Sequence, residues 1–94
     1  MISLVYLTDA APDPLATELT LAGCLVWEAL SVSEVLHLCE HQRIDVVVVA
    51  PAIKIATADV EARNITIHLK PGATVADVMW ELSHLFTIGN PVTQ

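Results

Sequence analysis

The sequence predicts an α/β fold, a small three-layer sandwich around a four-stranded, mainly parallel sheet in the order 2-1-3-4. Two observations carry that expectation. The run Ile44-Asp45-Val46-Val47-Val48-Val49-Ala50-Pro51 places four consecutive β-branched residues between an acid and a proline. Such a run is a short strand buried on both faces, which belongs inside a parallel sheet covered by helices. Around it, stretches with strand character alternate with stretches of helical spacing along nearly the whole chain.

Each element has its own warrant. Ile2 to Leu7 is a first strand, closed by Thr8-Asp9 and the loop Ala10-Ala11-Pro12-Asp13-Pro14. Leu15, Leu19 and Ala22 recur at helical spacing, and Gly23 is a natural C-terminal stop. Cys24 to Ala29 forms the second strand, with Trp27 expected in the core. Ser31 and Glu34 make a capping box, each side chain placed to satisfy the other's backbone N–H. Behind it, Val32, Val35, Leu36 and Cys39 form an apolar stripe of helical period. Ile65 to Leu69 alternates as a fourth strand, ended by Lys70-Pro71-Gly72. Thr74 and Asp77 cap a last helix whose Val75, Val78, Met79, Leu82, Leu85 and Phe86 are expected to face inward. Gly89-Asn90-Pro91 ends that helix and leaves a short tail from about residue 88. Between Ala52 and Asn64 a parallel crossover needs about a dozen residues. Thr57 to Arg63 supplies two helical turns for it, and an antiparallel return is the alternative.

Composition narrows the function. The 94 residues make one domain, 1–94, with a hydrophobic fraction of 54% against 16% charged, and a mean hydropathy of +0.61. So small a body leaves some apolar material on its surface, which points to a homodimer or a docking face. A net charge of −7 argues against nucleic acid and against an anionic membrane surface. No run approaches the roughly 18 apolar residues of a membrane span. The start of the chain lacks the basic region of a signal peptide, so a cytoplasmic location is expected. Cys24 and Cys39 lack metal or redox spacing and fit reduced, buried thiols. No glycine-rich phosphate loop and no nucleophile elbow occurs, and no cofactor is expected.

Three groups of residues remain as site candidates. Asp9, Asp13 and Lys70 could gather at the carboxyl ends of the strands, where open α/β sheets bind ligands. His37-Leu38-Cys39-Glu40-His41 satisfies H-x-x-E-H, a zinc-peptidase pattern in which two histidines share a helical face beside a base. That chemistry needs a third ligand and a cleft, and the apolar stripe of the same helix puts His37 and His41 on its solvated side. On the last helix, Trp80, beside Ala76 and His84, lies about 100° off the Val78–Leu82–Leu85 direction, where it either widens the buried stripe or serves an interface.

The order of elements, the acidic loop Thr8-Asp9, the phrase from Ile44 to Val49, and Lys70-Pro71 before the closing helix together resemble the receiver domain of bacterial response regulators, a flavodoxin-like sheet. The resemblance implies that Asp9 matches a magnesium-binding carboxylate, Lys70 matches the phosphate-contacting lysine, and Ala50 stands at the phosphoacceptor position. No acyl phosphate forms on a methyl group. The interval from Ala50 to Lys70 is short by one strand-and-helix unit, so the strand carrying the family's hydroxyl switch is missing. The expectation is a non-catalytic, shortened pseudo-receiver that acts by binding itself or a signalling protein, through its last helix and the exposed sheet edge. A structural homo-oligomer without a signalling role is the alternative, and a metal-dependent hydrolase through His37, Glu40 and His41 a third.

Overall fold

In the computed structural model, residues 1–86 are described. Four strands, β1 (Ser3–Leu7), β2 (Leu25–Ala29), β3 (Val46–Val49) and β4 (Thr66–His68), alternate with four helices, α1 (Pro14–Leu21), α2 (Val32–His41), α3 (Ala58–Arg63) and α4 (Val75–Phe86). The sheet order is β2-β1-β3-β4, and every neighbouring pair is parallel. The crossover between β3 and β4 is therefore the parallel one, carried by the two turns of α3. The expected tail from about residue 88, with Gly89-Asn90-Pro91, lies outside the described residues.

Alternation along the two central strands sorts the core into two halves. Leu4, Tyr6, Val46, Val48 and Ile67 face Ala16 and Leu19 of α1 and Val78 and Leu82 of α4. Val5, Leu7, Val47 and Val49 face Val35 of α2 and Val60 of α3. Val46, Val47 and Val48 are wholly buried and Val49 is 3% exposed. Removing each such side chain from water contributes on the order of 1.5–3 kcal/mol, so this four-residue strand anchors both layers.

The helix boundaries follow from local chemistry. Asp13 N-caps α1, its side chain accepting from the Leu15 N–H, with Pro14 in the first turn. Gly23, at φ +104°, lets the chain turn out of α1 into β2. Ser31 caps α2 by accepting from the Glu34 N–H at 3.1 Å, whereas the Glu34 carboxylate takes the Leu30 N–H, at 2.7 Å, one residue earlier than the capping box predicts. Thr74 and Asp77 make the fully reciprocal box at α4, at 2.9 and 3.3 Å. Pro71 and Gly72 form the turn before it, closed by the Ala73 N–H on the Lys70 carbonyl at 3.0 Å. Gly72, at φ +84°, supplies the left-handed residue that a type II turn demands.

Two core expectations change. Leu85 and Phe86 are 38% and 36% exposed rather than buried. The twelve residues of α4 extend about 18 Å, while the four of β3 extend about 13 Å, so the last helical turn outreaches the sheet. Trp27 is only half-buried, packed on the α2 side of the core, because β2 is an edge strand. Cys24 and Cys39 are free thiols and belong to opposite faces of the sheet. Burial pushes both thiol pKa values up, which keeps them protonated and poorly reactive. Among the described residues no helix is long and apolar enough to cross a membrane.

Candidate functional site

The carboxyl ends of the strands carry an acidic cluster, most of whose acids are already hydrogen-bonded. Asp13 accepts the Leu15 N–H on Oδ1 at 2.9 Å and the Thr8 hydroxyl on Oδ2 at 3.1 Å. It also accepts a hydrogen bond from the buried Tyr6 side chain. Glu28, at the end of β2, accepts the Asp13 N–H at 2.8 Å. Desolvation first, and then the charge and hydrogen bond of Asp13, push Tyr6 up to about 12. Tyr6 therefore stays a neutral donor under Asp13. Glu34 and Asp77 are likewise tied to backbone N–H groups at the starts of α2 and α4. Much of the acidity at this end of the sheet thus serves to complement helix N-termini.

The three strand-end candidates do not form one group. Asp9 is exposed and Asp13 is consumed as a cap. Lys70 lines a different feature, an open groove of about 430 Å³ bounded by β4, the Pro71-Gly72 turn and the first half of α4. The ion pair found among the described residues joins His68 to Glu61, and none links Lys70 to either aspartate. At the end of β3, Ala50 is 4% exposed, its N–H held by the Leu7 carbonyl at 2.9 Å and its carbonyl by the Ile53 N–H at 3.1 Å. A methyl group with a fully employed backbone stands at that strand end.

The last-helix candidates are exposed together. Trp80 is 59% exposed, its ring 3.8 Å from that of His84 at a 34° tilt. His84 Nδ1 lies 3.1 Å from the Trp80 carbonyl, which holds the imidazole in that stack. Ala76, one turn earlier and also exposed, leaves the neighbouring indole uncovered. Trp80 also lines the Lys70 groove, together with Asp77 and Glu81. The candidates from the strand end and from the helix therefore meet at Lys70 and Trp80.

His37 and His41 stack with ring centroids 4.2 Å apart, and His41 Nδ1 is engaged by the His37 carbonyl at 2.9 Å. Among the described residues no three His, Cys, Asp or Glu side chains are grouped to hold a metal ion. The H-x-x-E-H pattern thus lies on a solvated helix face without a third ligand.

Two features escaped the sequence reading. Glu61 of α3 accepts from the Thr57 hydroxyl and from His68 Nε2, the latter at 2.8 Å, fastening α3 to the edge strand. The Thr57 hydroxyl first and His68 second hold the Glu61 carboxyl below its ordinary range. No spacing rule connects a helix residue to a strand residue seven positions on. Asp13, by contrast, had a local signal, since an acid directly before a proline is an N-cap followed by a first-turn proline.

No family model matches the chain, and neither a curated protein nor a solved structure matches it.

Proposed function

We propose that this chain is a non-catalytic, receiver-like interaction module, that its principal partner is a second copy of itself, and that its contact surface is the flank of α4 around Ala76, Trp80 and His84. The observation that carries the reading is the exposed, stacked Trp80–His84 pair beside the Lys70 groove. A large aromatic held in one orientation by a neighbour costs little entropy on binding and is the kind of residue that anchors interfaces.

The strand ends support the same reading. Phosphoryl acceptance needs a carboxylate at Ala50 and grouped acids to hold a cation, whereas Ala50 is a buried methyl, Asp13 is bonded on both oxygens, and no three ligand side chains are grouped among the described residues. A signalling role, with a signalling protein as further partner, comes from the likeness of the element order to receivers. Light scattering across a concentration range tests the proposal. The wild type is expected to form a dimer, and Trp80→Glu to be a folded monomer by circular dichroism. A dimer unchanged by Trp80→Glu removes α4 from the interface.

A further inference from the structure

The contact surface just proposed borders an open sheet edge, and the inference drawn from that edge rests on the interaction-module reading. In a parallel ladder, alternate residues of a strand bond to one neighbour and the others face away. The Ile65 carbonyl accepts from Val47 and the Leu69 N–H donates to Val49. The N–H and C=O groups of Thr66 and His68 therefore point away from β3, along the free edge of the sheet.

We infer that β4 pairs antiparallel with β4 of a second copy about a twofold axis through Ile67, joining two four-stranded sheets into one of eight strands. The register is self-complementary. Thr66 faces His68 of the second copy and His68 faces its Thr66, so both pairs exchange two hydrogen bonds. On the α4 side, Ile65, which is 47% exposed alone, comes opposite Leu69 of the second copy. Ile67 meets its own counterpart on the axis. Trp80 and the groove it lines run beside this seam.

Charge selects this edge over the other. In a chain of net charge −7, self-association is opposed wherever carboxylates converge. From Asn64 to Lys70 the sequence has no acid, and the nearby Glu61 carboxylate is already engaged by His68 and Thr57. Arg63 and Lys70 flank the run, so neither end of the paired strands brings in a carboxylate of the strand, and Asp77 and Glu81 line the groove on the Lys70 side. The edge made by β2 has Val26 and Glu28 facing outward instead, since Leu25 and Ala29 bond to β1. Pairing there would carry Glu28, a charged residue of the strand itself, into the new ladder of each copy, whereas β4 contributes no acid. Open edges are ordinarily blunted by charge or by brevity; β4 is short but its own residues carry no fixed charge.

The test is amide hydrogen exchange by NMR on the full chain at low and high protein concentration, with Thr66→Pro and Ile65→Lys alongside. Thr66→Pro removes an outward N–H that β3 does not use, and Ile65→Lys places a charge opposite Leu69 at a position already exposed. Expected are Thr66 and His68 amides that slow at least tenfold at high concentration. Each variant should weaken dimerisation at least tenfold while remaining folded. A wild-type dimer in which both amides exchange freely, and which Ile65→Lys leaves intact, overturns the edge pairing and leaves the interaction module to another surface. A wild type that is monomeric throughout overturns the pairing and the self-association on which it rests.

Discussion

The Thr8 hydroxyl and the Asp13 carboxylate are joined across 3.1 Å, at the place where an open α/β sheet ordinarily presents its reactive groups to a ligand. The same carboxylate caps α1 and receives Tyr6, so a residue positioned for chemistry works as a structural clamp between β1, its following loop and α1. Asp13→Ala is expected to lose the cap and the acceptor of the Tyr6 hydroxyl, while the Thr8 hydroxyl keeps the Ala10 carbonyl at 3.4 Å. The combined cost is about 2–4 kcal/mol in urea denaturation. Asp13→Asn keeps an acceptor for the cap and should cost less than half as much.

Tyr6 is the one tyrosine of the chain, so an ultraviolet titration of tyrosinate reports it alone. Its pKa is raised in the folded state to about 12 from 10.0. A raised folded value means the fold prefers the neutral phenol. The associated stability is fully present below pH 10 and is lost as the pH rises toward 12. The expected titration shows no tyrosinate at pH 10.5 in the native protein, whereas Asp13→Ala brings ionisation to lower pH. A midpoint at the ordinary tyrosine value in the wild type contradicts the clamp.

The Glu61 clasp gives the opposite sign. Its carboxyl is held below the ordinary range by Thr57 and then His68. The contribution is present at neutral pH and is lost as acid carries the pH through that depressed value. Carboxyl NMR is expected to find Glu61 titrating below the ordinary glutamate value, and Thr57→Val to move it back up. Because the pair is exposed, the change in overall stability should be small.

Placing an acid at the end of β3 tests the proposed likeness to receivers. Ala50→Asp buries a carboxyl where the backbone groups are already paired, and should cost about 3 kcal/mol or more. With magnesium and acetyl phosphate the variant should gain no phosphoryl group by intact mass, since among the described residues no three His, Cys, Asp or Glu side chains are grouped to hold a metal ion. A phosphorylated Ala50→Asp chain would show that the strand ends hold a cation and contradict the non-catalytic reading.

Much of the scaffold is legible in the chain because its signals are local. Four valines in a row require two covered faces, and the boxes at Ser31 and Thr74 each set a helix start within one turn. The positive-φ glycines at 23 and 72 mark the turns. What is not legible depends on distance in space. The Asp13 bonds to Thr8 and Tyr6 and the Glu61 bond to His68 join different elements, and the exposure of Leu85 and Phe86 depends on helix length against strand length. The union of Lys70 and Trp80 in one groove needs both the turn and the helix in place.

A dilution series followed by ¹⁵N NMR decides whether the Trp80 flank is a surface of contact. The account predicts that the Trp80 indole N–H and the amides of Ala76 and His84 shift with protein concentration while the Trp27 indole stays fixed. A spectrum in which Trp80 is indifferent to concentration, or in which the α2 side moves instead, would contradict it.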